Sequence, residues 1–284
     1  MKNTMEVHAR KYHSKISYLE VNIPITSEEE FIEAFVNKLD SDPEINFTII
    51  DHITSASALV LPVEQLIREC RKRNVIVCID GAHAPGQLEL NLEVLRPDFY
   101  VGNLHKWCYA VRGTALMWVH PDYHNIIEPL ITSHEYKKSI QKKFFDQGTD
   151  EMTNYIVIPT ALDYFEKIGG QKFLRNHANG LLESLRVRLC NDLNCSMYPV
   201  PIAMQAPYMK IVKLPDSVRY LKSWKGADQL WSDLNSRFKL SVYISYANEA
   251  LWVGISNIFE NQKPYVFTKN PMFFLDPFFT KNKN

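Results

Sequence analysis

An aspartate and a lysine follow two short apolar segments of this sequence, and the pair could carry chemistry. Residues 75–79 are continuously apolar and end at Asp80, while residues 99–101 lead through Gly102 to Lys106. Short apolar runs of this kind predict buried strands. Because ligand sites of open α/β sheets lie just beyond the carboxyl ends of the strands, we expect Asp80 and Lys106 to share one site.

An amine and a carboxylate at neighbouring strand ends are suited to holding pyridoxal phosphate. The lysine can form a Schiff base with this cofactor, and the carboxylate can keep the pyridine nitrogen protonated, so that the cofactor acts as an electron sink. A lone loop lysine is weak evidence, since most are solvated. Here Asp80, His105 and the glycines Gly81 and Gly102, which let backbone approach a ligand, favour a cofactor site over a solvated surface.

Two motifs together resemble a known family. Residues 80–84 read Asp-Gly-Ala-His-Ala and residues 103–107 read Asn-Leu-His-Lys-Trp. This pairing resembles the class V aminotransferase family of fold-type I pyridoxal-phosphate enzymes, and within it the isopenicillin-N-epimerase-like branch. The resemblance implies that Lys106 forms the Schiff base and that Asp80 pairs with the pyridine nitrogen. It also implies that His83 contacts the ring or its 3′ oxygen, that His105 is a phosphate neighbour, and that Asn103 binds the cofactor.

Two further stretches extend the resemblance, which covers about residues 15–257. Thr54 and Ser55 fall where the family contacts the cofactor's oxygen. Thr149, preceded by Gln147 and Gly148, falls where the family offers a phosphate donor, often across a dimer interface. The family therefore implies a small amino-acid substrate and transferase, epimerase or C–S lyase chemistry. These residues do not discriminate among transamination, epimerisation, desulfuration and C–S lysis. We also expect a homodimer or a heterodimer with a longer paralogue, because the large domain, without the N-terminal elements that cover it in the family, should expose apolar surface.

Two departures from the family pattern lower the expected activity. Family members carry a long N-terminal region before residues 16–21, with a helix N-terminus that grips phosphate, and this sequence starts after that region. Gly254 stands where the family places the arginine that clamps the substrate carboxylate. We expect weak cofactor binding and poor turnover of α-amino acids. The alternative is a non-catalytic remnant that pairs with an intact paralogue.

The alternation of apolar strands with amphipathic helices predicts an α/β fold. Near-continuous apolar strands at residues 47–50, 75–79 and 99–101, separated by helices, are typical of a mostly parallel sheet sandwiched by helices. A strand is also predicted at residues 16–21, and the resemblance implies an antiparallel strand at residues 114–119. Ser27 and Glu30 have the spacing of a capping box, which predicts a helix start.

The sequence divides into three predicted parts. Residues 1–150 form the cofactor-binding large domain, residues 151–257 form connecting helices and a small α+β domain, and residues 258–284 form an irregular, proline-interrupted tail. The irregular stretch 126–145 is predicted to be a loop with room for a short helix. The second part is predicted from these segments: helices at 155–168, 173–193 and 227–238, and strands at 206–214, 240–244 and 251–255.

The composition indicates which classes of partner and which compartment to expect. The 284 residues are 46% hydrophobic and carry 32 basic and 32 acidic side chains, so no net charge draws the protein to nucleic acid or membrane. Five cysteines without paired spacing favour a reducing, cytoplasmic setting, and no metal-ligand spacing is visible. Trp107 is predicted to be a core residue and Cys108 a packed thiol instead of a nucleophile.

Overall fold

A mostly parallel sheet organises the first half of the chain. The computed structural model describes residues 2–21, 24–145 and 148–256. Its first sheet has the order β1-β2-β3-β4, with strands β1 (Phe47–Asp51), β2 (Ile76–Asp80), β3 (Phe99–Asn103) and β4 (Ala115–Val119). β1, β2 and β3 are parallel, and β4 runs antiparallel to β3. The predicted α/β class and these four strands are confirmed.

Helices connect the strands and lead to the C-terminal half. Within the described ranges the α-helices are α1 (Lys2–Tyr12), α2 (Glu28–Ser41), α3 (Val63–Lys72), α4 (Leu92–Leu95), α5 (Leu104–Trp107), α6 (Ile140–Phe145), α7 (Thr153–Ile156), α8 (Ile158–Lys167), α9 (Gly170–Leu193) and α10 (Trp224–Phe238). The predicted short helix within residues 126–145 is α6.

The capping residues of α2 act as the sequence predicted. The Ser27 hydroxyl accepts a hydrogen bond from the Glu30 amide, and the Glu30 carboxylate accepts one from the Thr26 amide. These bonds satisfy amides that a helix start leaves without partners. The helix then buries Phe31 and Phe35, which lie one turn apart, against the core that covers one face of the first sheet.

The two faces of the first sheet differ in burial. Val77, Ile79 and Tyr100 on one face are fully buried in the core that α2 and α3 contribute to. On the other face Phe47 and Met117 are 46% and 47% exposed. The strand register places Asp51, Asp80 and Asn103 on this second face, at its carboxyl edge, because side chains alternate between faces.

The second sheet is antiparallel and belongs to the small C-terminal region. Its order is β5-β6-β8-β7, with strands β5 (Ser196–Met197), β6 (Met209–Lys213), β7 (Tyr243–Ala247) and β8 (Ala250–Ser256). Buried side chains of α10, Leu230 and Leu234, pack with Val212 and Leu251 of this sheet. The predicted α+β pattern is confirmed here.

The two sheets are joined by a segment that crosses the proposed boundary between the domains. Met204 is fully buried in the core of the first sheet, and its carbonyl accepts a hydrogen bond of 2.8 Å from the Val60 amide. The Ala206 amide likewise donates to the Ala58 carbonyl at 3.1 Å. The loop that follows β1 is therefore held by the C-terminal half of the chain.

Three secondary-structure predictions need correction. Residues 16–21 are not a strand, although Leu19 and Val21 pack against the large core. Their alternation reflects half-burial, and a half-buried segment forms a strand only where it pairs with a neighbour. The helix predicted at 155–168 is two helices, α7 and α8, with Val157 between them and Pro159 in the first turn of α8. The strand predicted to start at residue 240 starts at Tyr243.

Other expectations concern hydropathy and the C-terminus. Across the described ranges, each helix is too short or too polar to cross a bilayer. The predicted irregular tail, residues 258–284, lies outside the described residues.

Candidate active site

Two carboxylates lie side by side at the carboxyl edge of the first sheet. Asp51 ends β1 and Asp80 ends β2, and the parallel register sets them opposite each other. One Asp80 oxygen accepts a hydrogen bond of 3.0 Å from the Ala82 amide, which fixes its orientation. Burial, together with the charge of Asp80, raises the pKa of Asp51.

Lys106 brings an amine to the same edge. It lies in α5, a single helical turn that starts directly after β3. Its Nζ lies 3.0 Å from Nε2 of His83. Burial lowers the pKa of Lys106, while the charges of Asp80 and Asp51 oppose that effect. The amine is thus within electrostatic reach of both carboxylates, as the sequence predicted for Asp80.

His83 is neutral at physiological pH. Burial lowers its pKa to about 4, Lys106 adds to this effect, and Asp80 opposes it. A neutral imidazole can accept the hydrogen bond from the Lys106 ammonium through Nε2, which leaves the proton on Nδ1. Nδ1 is buried and has no hydrogen-bond partner among the described residues. The site therefore holds a buried N–H group that is available to a bound molecule.

A buried tyrosine and a buried histidine pack against the loop that follows Asp80. Tyr100 is fully buried, and its hydroxyl lies 2.9 Å from Nδ1 of His52. A methyl group at Gly81 would overlap the Tyr100 ring and hydroxyl, so only glycine fits after Asp80. Sequence reasoning missed this pair. The one signal was the glycine directly after the aspartate, whose steric partner cannot be identified from the sequence alone.

The Gln87 side chain links the loop that contains His83 to the C-terminal half of the chain. The sequence did not predict this contact either. Gln87 is fully buried, and its Nε2 donates to the His83 carbonyl at 2.9 Å. Its Oε1 accepts from the Tyr208 amide at 3.0 Å. Both ends of the amide are used, so the side chain fixes His83 relative to the strand that follows Tyr208.

Within the described part of the chain, the side-chain hydrogen bonds of the remaining predicted site residues do not include Asp80, His83 or Lys106. Nδ1 of His105 donates to the Thr114 carbonyl at 2.8 Å, and Asn103 ends β3 next to α5. The Thr54 hydroxyl bonds within its own loop, to Ser57 at 2.6 Å and to the Leu59 amide at 2.8 Å. Ser55 and Thr149 are exposed.

The structure therefore groups Asp80, His83 and Lys106 together. For the other predicted residues, a role in cofactor binding stays a prediction. Gln147 lies outside the described residues.

Two neighbours of Lys106 have the predicted packing roles. Trp107 is 5% exposed and its ring packs on Tyr208, with the centroids 5.6 Å apart. Cys108 is buried, and burial raises the pKa of its thiol to about 11. A thiol so poorly ionised at neutral pH is a weak nucleophile. The packed-thiol prediction is confirmed.

Gly254, at the position predicted to lack an arginine, lies in the middle of β8. It pairs with Tyr243 of β7 and with Ile211 of β6. A Cβ at this glycine would lie 3.2 Å from Cβ and Cδ1 of Tyr243. The tyrosine ring thus covers the backbone where a longer side chain would start.

Comparison with known proteins places the chain in a family. A family model for aminotransferase class-V matches residues 7–213, well over half of the chain. A probable chloroplastic L-cysteine desulfhydrase of Arabidopsis thaliana is 25% identical over 178 residues, covering 60% of this chain and 38% of that protein. The isopenicillin N epimerase of Amycolatopsis lactamdurans is 29% identical over 161 residues, covering 51% of this chain and 40% of the epimerase. The chain thus spans about two fifths of the length of these curated relatives.

Solved structures share the fold. A variant of C-DES with glycine covalently linked to its PLP cofactor aligns with a TM-score of 0.70 at 19% identity, covering 89% of this chain and 65% of that one. The class V resemblance seen in the two motifs is confirmed, and isopenicillin N epimerases are among the relatives.

We predict opposite effects for alanine at two glycines. Gly81→Ala should lower the free energy of unfolding by about 1–3 kcal/mol, because the methyl group overlaps Tyr100 in a packed core. Gly180→Ala, in α9 with open space around the new methyl group, should raise it by about 0.5–1 kcal/mol. Urea unfolding of both variants measures the difference. Equal stabilities would show that Tyr100 does not require glycine at position 81.

Proposed function

This chain belongs to the aminotransferase class-V family, and from that premise we propose that it is a pyridoxal-phosphate-dependent enzyme that acts on a small amino acid or amino-acid derivative. The observation that supports this most strongly is the contact of 3.0 Å between Nζ of Lys106 and Nε2 of His83, beside Asp80 and Asp51. An amine, a neutral imidazole and a carboxylate converge there at a strand edge.

The residues present fit pyridoxal phosphate. The half-buried amine of Lys106 has a lowered pKa, as a nucleophilic lysine requires. Asp80 would hold the proton of the pyridine nitrogen, and the buried Nδ1 of His83 would donate to an oxygen of the cofactor. When bound, the cofactor supplies an electron sink for charge that develops at the α-carbon of the substrate.

The chain's own groups would then position and move protons. Lys106, freed of its proton more easily than a solvated lysine, is the base that would take a proton at the substrate α-carbon and return it. His83 stays neutral above pH of about 4 and orients the Lys106 amine through Nε2. The Ala82 amide holds the Asp80 carboxylate in place.

Within this chemistry, C–S bond cleavage is the reaction we favour. One curated relative is named as a probable L-cysteine desulfhydrase, and a solved neighbour is described as the cystine C-S lyase C-DES in complex with its reaction product, cysteine persulfide. Cysteine is therefore the first substrate to test. Because Cys108 is buried and poorly ionised, the reaction we favour does not use the thiol of Cys108 as sulfur acceptor.

We also propose a reducing compartment, the cytoplasm, as the setting. Cys70, Cys78, Cys108, Cys190 and Cys195 are all free thiols in the structure. Disulfides are rare where thiols are kept reduced.

The experiment that tests the proposal is covalent trapping of the cofactor. After incubation with pyridoxal phosphate and reduction with borohydride, peptide mass spectrometry should find the adduct on Lys106. Lys106→Ala should abolish it, whereas Lys213→Ala, a control on β6, should leave it unchanged. Asp80→Ala should keep the adduct but lose turnover, because the electron sink is weakened. Labelling spread over exposed lysines, with none at Lys106, would rule out the assigned role.

A second candidate function, a non-catalytic partner of an intact paralogue, is favoured by Gly254. The ring of Tyr243 covers this glycine, and no arginine is there to clamp a carboxylate. A charge-assisted carboxylate bond contributes on the order of 2–3 kcal/mol, a factor of roughly thirty to more than a hundred in affinity. We therefore propose that turnover of α-amino acids by this chain is poor.

Gly254→Arg tests this proposal. The φ of Gly254 lies outside the left-handed region and Tyr243 is 47% exposed, so the tyrosine can shift by the few tenths of an ångström required. The variant should lower KM for cysteine by roughly thirty-fold or more. The control, Gly180→Arg on the exposed surface of α9, should change nothing. Robust turnover by the unaltered chain would show that another group binds the carboxylate.

We further propose that the apolar face of the first sheet mediates self-association or pairing with a longer paralogue. Phe47, Val101 and Met117 are each more than a third exposed on this face. Sedimentation should show a dimer that Met117→Asp dissociates, while Met197→Asp, at a similarly exposed methionine of β5, does not. A monomer at all micromolar concentrations, alone and with a paralogue, would contradict this.

A further inference from the structure

Asp51 is a half-buried carboxylate of the candidate active site for which the sequence predicted no role. It ends β1, and its Cα partner in the parallel pairing is Asp80, the last residue of β2. Paired residues of neighbouring strands point to the same face of a sheet and lie about 5 Å apart. The side chains of Asp51 and Asp80 are therefore neighbours, on the face of the first sheet that carries the site.

The backbone holds the two carboxylates at this spacing. The pairing of β1 and β2 covers five residues of each strand and ends at the two aspartates. Just beyond it, the His52 amide donates to the Asp80 carbonyl at 2.8 Å. The Gly81 amide donates to the Val101 carbonyl of β3 at 2.7 Å. Hydrogen bonds thus continue on both sides of Asp80, so the strand ends cannot separate to move the two charges apart.

The charge of Asp51 is poorly offset in the described part of the chain. Its carboxylate makes neither a hydrogen bond nor an ion pair there, whereas Asp80 accepts a hydrogen bond of 3.0 Å from the Ala82 amide. Burial raises the pKa of Asp51 and the charge of Asp80 raises it further, while positive charge, that of Lys106 included, opposes both. A raised pKa means that the fold disfavours the ionised form, so ionised Asp51 lowers the stability of the folded chain at neutral pH.

A cation bound beside both carboxylates would remove this cost. Lys106 is one cation of the site, but burial lowers its pKa, and its Nζ lies 3.0 Å from Nε2 of His83. One ammonium group also balances only one of two carboxylates. Pyridoxal phosphate, the cofactor of this family, has a ring nitrogen that is cationic when protonated. The charge balance of the site therefore favours one more positive group of this kind.

We propose that Asp51 is a second charged residue of the cofactor site, which acts with Asp80 to favour a protonated pyridine ring over a neutral ring of the same shape. This rests on the proposed function, because the ring is that of pyridoxal phosphate. Asp80 would hold the proton on the ring nitrogen, and Asp51 adds a second negative charge beside it. The attraction needs no direct contact between Asp51 and the ring, because charges interact strongly in a partly buried site.

A different role for Asp51 would be to balance the ammonium group of Lys106. A counter-charge for the amine acts equally on any aldehyde that reaches Lys106. A charge partner of the ring acts only where the ring nitrogen can carry a proton. Replacing that nitrogen by carbon therefore separates the two roles.

Binding of two ring compounds to the whole chain tests the proposal. The probes are pyridoxal phosphate and its carbocyclic analogue, in which C–H replaces the ring nitrogen. Both are measured by equilibrium dialysis at mildly alkaline pH, where aspartates are ionised. Asp51→Asn keeps the shape of the side chain and removes its charge. It should lower the preference for pyridoxal phosphate, which is the ratio of the two dissociation constants, by about five-fold or more.

Two further variants serve as controls. Asp228→Asn, at an exposed aspartate of α10, should leave the ratio of the two dissociation constants unchanged. Asp51→Glu, which keeps the charge on a longer side chain, should retain most of the preference. Without any probe, Asp51→Asn should raise the Tm, because the fold disfavours the charge that it removes. A lowered Tm would show that the chain itself offsets the charge of Asp51 and would overturn the proposal.

The outcome for the unaltered chain separates this proposal from the proposed function. If the unaltered chain binds neither probe, the proposed function fails, and the role of Asp51 fails with it. If it binds pyridoxal phosphate but Asp51→Asn weakens both probes equally, or neither, the proposed function stands and the role of Asp51 is overturned. A preference that falls in Asp51→Asn alone among the Asn variants supports the role.

Discussion

The parallel pairing of β1, β2 and β3 is the constraint on which the site depends. Parallel strands end at the same edge, and the register sets Asp51 directly opposite Asp80. Two carboxylates so placed repel each other, and the amine of Lys106, one helical turn beyond β3, offsets that repulsion.

The site also shows which electrostatic effect dominates. Asp80 and Asp51 favour the charged form of Lys106, yet burial has the larger effect and lowers the pKa of Lys106. A lowered pKa increases the fraction of the Lys106 amine that is neutral, and so able to act as a nucleophile, at neutral pH. His83, neutral because it is buried, can accept a hydrogen bond from the amine without adding a competing charge.

Local patterns allowed much of this to be predicted from the sequence. The apolar runs before Asp80 and Lys106 gave β2 and β3, and the Ser27 cap gave the start of α2. Alternation failed at residues 16–21, because half-burial produces the same pattern with or without a strand partner.

The contacts that support the site could not be predicted from local sequence patterns. His52 and Tyr100 are 48 residues apart, and Gln87 and Tyr208 are 121 apart. No spacing rule connects such positions, so their roles emerge only once the fold brings them together.

The pKa of Lys106 is the measurement that tests the central claim most directly. It can be followed by NMR of lysine side chains labelled with ¹³C at Cε, with Lys106→Arg used to assign the signal. We predict a pKa below the ordinary 10.5 for Lys106, falling further in Asp80→Asn because the carboxylate that favours the ammonium is removed. A value at or above 10.5, unchanged by Asp80→Asn, would show that Lys106 is a solvated lysine and would contradict the account.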